Sequence, residues 1–269
     1  MKDFYAELIE YTGRHPTLVR ERCRVAPVEL AWKFDKDRIL DTYKQDDLYI
    51  FDLTEYQTKL QSDLPPRLID FLQKCNIKTM LDFGGGIGEY TILAMRNGVE
   101  VDFLEVEGSK TLEYAKWRFK KHNVNPGVLT EKADLTDKKY DFVMAMDVFE
   151  HIPQPDVAVL IAQLSKITKY LWCNPVGLPY NEYYPQHISH FDEDLRKHFV
   201  VAIPQSDLGS IFVPTSCGHG VDRLRHMHDC AHGIEGTHMA GSERYECMDC
   251  GHSIYKEEGE KQGLRFLLD

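Results

Sequence analysis

The chain has 269 residues, 43% of them hydrophobic, and a formal net charge of −11. That content supports an ample core in one large domain or two unequal ones, and the acidic balance makes phosphate-backbone binding a poor candidate for its task. No apolar run is long enough to cross a bilayer, no basic-then-apolar leader opens the chain, and the seven cysteines form an odd set, so the expectation is a reducing, cytoplasmic compartment.

Residues 1–65 read as a helical cap. Phe4, Leu8 and Tyr11 share a helical spacing that Gly13 breaks. Thr17 is placed to cap a segment through Val25, and Pro27 to open another, with Val28, Ala31 and Trp32 on one face. The stretch 47–56 mixes apolar and aromatic residues and reads as no single element. Two roles stay open for this region: a cap packed over the main domain, or a lid lending Trp32, Tyr43, Tyr49 or Phe51 to a substrate pocket.

The main domain is expected over 66–213. Pro65-Pro66 precedes a helix, 66–75, with Leu68, Phe71, Leu72 and Cys75 inward. Next, Met80, Leu81 and Phe83 surround Asp82, and the glycines Gly84, Gly85, Gly86 and Gly88 follow. After Gly88 the pattern turns helical until Asn97-Gly98. Strand, glycine loop and helix in that order let a ligand approach the backbone closely, because glycine lacks a Cβ. The next strand, 99–105, ends at Glu105, about 20 residues beyond the loop, where dinucleotide-binding folds place the acid that takes ribose hydroxyls.

Ser109 is a candidate N-cap for a helix to about His122. Pro126-Gly127 marks a turn and 128–135 a short strand. Residues 140–147 are almost wholly apolar between Asp141 and Asp147, as buried parallel strands are. A helix begins near Asp156, with Val157, Leu160, Ile161, Leu164 and Ile167 at helical spacing, and 169–173 reads as the fifth strand. The alternation predicts an α/β fold, a Rossmann-like doubly wound, mostly parallel sheet. Right-handed crossovers then gather the loops at its carboxyl edge. Beyond strand five, 174–194 carries Tyr180, Tyr183, Tyr184, His187 and His190, with Asp192 as the expected N-cap of a helix over 193–199.

From about 214 to 269 the helical periodicity is gone. Cys247 and Cys250 have two residues between them, with Gly251 next. With Cys230 and His232 upstream they resemble a zinc ribbon, a closed four-ligand site and hence a structural Zn2+. The short Cys-x-His arm leaves His219, His226, His228 and Cys217 in contention with His232.

The glycine loop, Glu105, Ala133-Asp134 and the strand-four run through Asp147, Glu150, His151 and Ile152 together resemble the class I S-adenosylmethionine (SAM)-dependent methyltransferases. The branch most similar holds the ubiquinone-biosynthesis and small-molecule O-methyltransferases. Gly85 stands where the family often has another small residue, a change expected to be sterically harmless. The resemblance implies that Gly84, Gly86 and Gly88 let the backbone reach the amino-acid end of SAM. Glu105 would accept from the ribose hydroxyls and Asp134 from the adenine amino group. Asp82 would fix the loop or meet the methionine ammonium, and Asp147 would border the cofactor. Residues 187–191 resemble the H-x-x-H-F loop of this branch. A neutral histidine there suits removal of an acceptor proton: His190 is preferred, His187 is next, and His151 is the reserve.

The acceptor is expected to be a small-molecule or sugar-like hydroxyl. Base-amino methyltransferases carry a Pro-Pro motif after strand four, and cytosine-C5 enzymes a Pro-Cys nucleophile. Neither is present, so nucleic acid is an unlikely partner. A nucleic-acid or protein methyltransferase using the zinc ribbon for recognition is the alternative.

Overall fold

The computed structural model of the chain describes residues 3–33, 43–44, 47–60, 63–130, 135, 138–174, 187–188, 191–203, 209–214, 224–228, 243–247 and 253–255. Its N-terminal part is helical. Helix α1 (Phe4–Thr12) is capped by the Asp3 carboxylate, which accepts from the Ala6 N–H, and stops at left-handed Gly13. Helix α2 spans Pro16–Lys33 without interruption, where the sequence predicts a break at Pro27. A proline inside a helix costs about 3 kcal/mol. Val19, Cys23, Ala26 and Leu30 are buried on either side of it, and the Arg22 guanidinium bonds both Glu29 oxygens across it, at 2.9 and 2.8 Å.

The ambiguous stretch is helix α3 (Leu48–Leu60). Phe4, Leu8, Val19, Cys23, Leu30 and Phe51 form a common core with Ile87 of the glycine loop and Tyr114. Phe51 is therefore a core residue, whereas Trp32 is 87% exposed. The Tyr43 and Tyr49 rings pack tilted against each other, centroids 4.6 Å apart.

The second part alternates helices and strands: α4 (Leu64–Lys74), β1 (Thr79–Phe83), α5 (Glu89–Arg96), β2 (Glu100–Leu104), α6 (Lys110–His122), β3 (Gly127–Leu129), β4 (Tyr140–Ala145), α7 (Asp156–Ile167) and β5 (Thr168–Cys173). Then come α8 (Asp192–His198), β6 (Phe199–Ile203) and β7 (Ser210–Pro214). The sheet has seven strands in the order β3-β2-β1-β4-β5-β7-β6. The strands from β1 to β5 are mutually parallel, and β7 runs antiparallel between β5 and β6. Strand β1 lies between β2 and β4, so the chain turns back at its carboxyl end, where ligands bind in such sheets. Large apolar side chains fill both faces: Phe149, Leu160, Leu164, Leu171 and Phe199 on one, Leu68, Phe71, Phe142 and Trp172 on the other.

Several local expectations are corrected. Strand β3 is only three residues long; residues 131–134, Asp134 among them, lie outside the described residues. Asp192 is the first residue of α8 and not its cap: Phe191 occupies the cap position without a side-chain bond. The pair β6 and β7 was not anticipated. In the tail, β8 (Leu224–His228), β9 (Glu243–Cys247) and β10 (Ser253–Tyr255) form an antiparallel sheet. Cys247 ends β9, opposite Leu224, whereas Cys230, His232 and Cys250 lie outside the described residues.

Candidate active site

The site is built on the carboxyl ends of β1, β2, β4 and β5. At β1, Asp82 is buried and accepts from the Thr91 hydroxyl at 2.6 Å. This ties the strand end to α5, so Asp82 fixes the loop from beneath. Burial pushes its carboxyl up to about 6, against the Thr91 hydrogen bonds.

The loop glycines Gly84, Gly86 and Gly88 all have positive φ, between 55° and 74°. Gly86 is also covered from above: a Cβ there would stand 3.0 Å from Leu53 of α3. The expectation for Gly85 is corrected. A Cβ at that position would stand 2.4 Å from the Phe103 ring and 2.7 Å from the Asp82 carboxyl. Phe103 takes the space that a side chain at position 85 would need, so glycine is obligatory as the strand is packed.

Glu105, at the end of β2, faces this loop. One carboxylate oxygen accepts from the Gly86 N–H and the other from the Val106 N–H, each at 2.9 Å. Burial raises it to about 7, and the two backbone donors only partly offset that. Each oxygen keeps a lone pair for a further donor. Gly86 thus lies between the Glu105 carboxylate, which takes its N–H, and the Leu53 side chain.

At the end of β4, Asp147 adopts φ 54°, an uncommon conformation for a residue with a side chain. Asn174, just past β5, holds it in both directions. The Asp147 N–H donates to the Asn174 side-chain oxygen at 3.1 Å, and the Asn174 amide donates back to the Asp147 carboxylate. The Tyr56 hydroxyl of α3 bonds the same carboxylate. Burial raises Asp147. It also raises Glu150, to about 8, with the neighbouring Asp147 charge adding to the shift. On α3, burial lifts Asp52 to about 6, and Lys59 partly offsets this.

The short 3-10 turn Phe149–His151 turns its residues two ways. Phe149 packs into the core against Phe191, centroids 5.4 Å apart. His151 faces the His187 ring edge-on at 5.1 Å and the Tyr43 ring at 6.3 Å. The Ile188 N–H donates to the Glu150 carbonyl at 2.8 Å, which brings His187 beside the turn. Burial pushes the His187 imidazole down. Of the three histidine candidates the fold thus brings His151 and His187 together; His190 lies outside the described residues.

Sequence reading missed what the cap lends to this cleft. Asp52, Leu53 and Tyr56 all come from the ambiguous stretch or just beside it. Their signal is a helical spacing of 3 and 4 residues, carried by Leu53 together with the polar Asp52 and Tyr56.

Residues 55–194, more than half of the chain, match the family model of a methyltransferase domain. None of the curated proteins matches the chain in sequence. Among solved structures, an O-methyltransferase family protein from Burkholderia thailandensis is 13% identical, over 72% of this chain and 71% of that one, with a TM-score of 0.49. Magnesium protoporphyrin IX methyltransferase from Synechocystis, with bound SAM, is 19% identical over 72% and 97%, TM-score 0.45. The PH0226 protein from Pyrococcus horikoshii is 15% identical over 68% and 100%, TM-score 0.48. No helix among the described residues is long and apolar enough to cross a membrane. The glycine loop, Glu105 and the β4 turn all fall inside the matched span, and the chain belongs to the methyltransferase-domain family as an enzyme, a SAM-dependent methyltransferase.

Proposed function

We propose that the enzyme methylates a hydroxyl of a small-molecule or sugar-like acceptor. The observation that carries this reading is the cover of α3 over the glycine loop, with Leu53 against Gly86 and Tyr56 on Asp147. A cleft closed from above by the chain's own helix suits a small acceptor better than a nucleic-acid strand or a folded protein.

When bound, SAM supplies an electrophilic methyl on its sulfonium. Glu105 accepts from the ribose hydroxyls through its remaining lone pairs, bonds strengthened by its charge. The backbone at Gly84, Gly86 and Gly88 admits the amino-acid end. Asp82 keeps the loop in place, Asp147 borders the cofactor, and Asp134 takes the adenine amino group. The acceptor's proton goes to a histidine, with His190 the preferred base and His187 and His151 lining the acceptor side. Positioning and proton removal are what such a displacement asks of the protein, and a well-placed base is worth about 10²–10⁴ in rate.

In the same proposal the chain divides into a cap, 1–65, a SAM-binding domain, 66–213, and a tail, 214–269, with one structural zinc. Cys230, His232, Cys247 and Cys250 are the ligands. A cytoplasmic setting would keep those thiols reduced.

The test is incubation with methyl-labelled SAM and a host extract split by size. Label in the small-molecule fraction, at an oxygen, supports the reading. Label confined to protein or nucleic acid overturns it in favour of macromolecular recognition.

A further inference from the structure

A second group of side chains, beside the cofactor cleft, has the composition of a metal centre. Glu150 and His151 come from the turn after β4, and His187 from the segment that its neighbour Ile188 ties to the Glu150 carbonyl. One ligand atom from each of the three lies within 4.8 Å of the other two. A cation that each ligand binds at about 2.0–2.2 Å spans atoms up to about 4.4 Å apart, so a small side-chain adjustment seats one among these three.

This is not an exposed acidic patch. Glu150 and His187 are 7% and 8% exposed. No lysine or arginine among the described residues forms an ion pair with Glu150, although Asp147 stands near enough to raise it further. A buried carboxylate with an acid for a neighbour is costly unless a cation compensates it. The arrangement is also held from both sides, by the Ile188–Glu150 backbone bond and by the Phe149–Phe191 ring contact.

We infer that Glu150, His151 and His187 form a binding site for a divalent transition-metal cation. Two imidazoles and one carboxylate suit Mn2+, Fe2+, Co2+ or Zn2+, whereas Ca2+ and Mg2+ favour all-oxygen sets. Three protein ligands leave coordination positions for water or for acceptor oxygens, as in catalytic rather than structural sites. A hydroxyl held there would lose its proton more easily. This use of the cation rests on the small-molecule hydroxyl reading above; the site itself does not. It is separate from the cysteine-rich tail.

The experiment uses the full-length chain, stripped with a chelator and titrated with Mn2+ while electron paramagnetic resonance follows the free ion. Mn2+ avoids thiolates, so the tail should not compete. The expected result is one saturable site per chain, with pulsed spectra showing nitrogen modulation from imidazole. Glu150→Gln and His187→Asn should weaken it at least about tenfold, since even outer-shell changes cost that much. Cys247→Ser should leave it unchanged. Absence of a saturable site, or binding without nitrogen modulation, overturns the inference. Should a variant fail to fold, the nitrogen signal of the unaltered chain decides. SAM affinity, measured calorimetrically on the same samples, keeps the two readings apart. SAM binding without Mn2+ binding ends the metal site alone, and Mn2+ binding without SAM binding ends the cofactor assignment alone.

Discussion

Two buried groups of charges sit on either side of the glycine loop, and they are built on opposite plans. On one side, Arg118 of α6 is fully buried. It donates to Glu7 of α1 at 2.8 Å, to Glu89 of α5 at 2.6 Å and to the Ile87 carbonyl at 2.6 Å. His122 adds a bond to Glu7 at 2.8 Å, and Arg96 reaches the other ring nitrogen at 2.9 Å. Arginine can only donate, so the ring proton sits on Nε2 and points at Glu7. Both carboxylates here face the one guanidinium of Arg118. On the other side, Glu105 and Glu150 are buried and Asp147 is half-buried, with no arginine or lysine ion pair among the described residues. The first group locks the cap onto the helix that starts from the loop. The second holds negative charge in reserve, which a cationic cofactor would use.

The comparison breaks most visibly at Arg118. Arg118→Met should cost about 3–5 kcal/mol in urea unfolding, because it strands two buried carboxylates. A loss below 1 kcal/mol would mean that the lock is ornamental. On the cleft side the neutral partner Asn174 is the weak point. Asn174→Ala leaves the Asp147 N–H without its acceptor, and should cost about 1–3 kcal/mol in the same assay.

Asp52 tests the sign. Burial lifts it to about 6, above its value in an unfolded chain, so its ionised form opposes folding as pH rises through that range. Asp52→Asn should therefore raise stability near neutrality, by about 1–2 kcal/mol. A loss of that size would show that its charge is compensated in the free protein after all.

A smaller effect concerns pH. Glu105 stands raised to about 7 by burial. For the free protein, its contribution to folding is fullest below the ordinary glutamate range and is lost as pH climbs through about 7. Cofactor binding runs the other way, since the carboxylate accepts hydroxyl hydrogen bonds better than the acid. SAM affinity should rise by about tenfold from pH 6 to pH 8, and Glu105→Gln should flatten that rise. A flat profile in the unaltered chain would remove Glu105 from the ligand contacts.

The two regions were not equally legible in the sequence. Helix α7 buries Val157, Leu160, Ile161, Leu164 and Ile167, the residues that helical spacing selects. Ser109 caps α6 by accepting from the Leu112 N–H at 3.0 Å, as its position before the apolar run predicts. The strand, glycine loop and Glu105 were legible because one βαβ unit sets their separation.

The cap's share of the site was hidden. Helix α3 turns Asp52 and Tyr56 toward the cleft rather than toward solvent, which blurs the amphipathic pattern that identifies a helix. The Arg118 lock joins residues 111 positions apart, beyond the reach of any local pattern. Pro27 misled because proline reads as a stop, and packing overrode it. Position 85 misled because the clash with Phe103 exists only once β2 lies beside β1.

Glu105, at the carboxyl edge of the sheet, has no lysine or arginine ion pair among the described residues and is kept for SAM. That role is tested most directly by calorimetric titration of SAM into the unaltered chain and into Glu105→Ala. One SAM per chain is expected, with affinity weakened tenfold or more in the variant, as follows from a loss of about 1.5–3 kcal/mol for bonds to a charged acceptor. Unchanged affinity in a folded Glu105→Ala chain would contradict it.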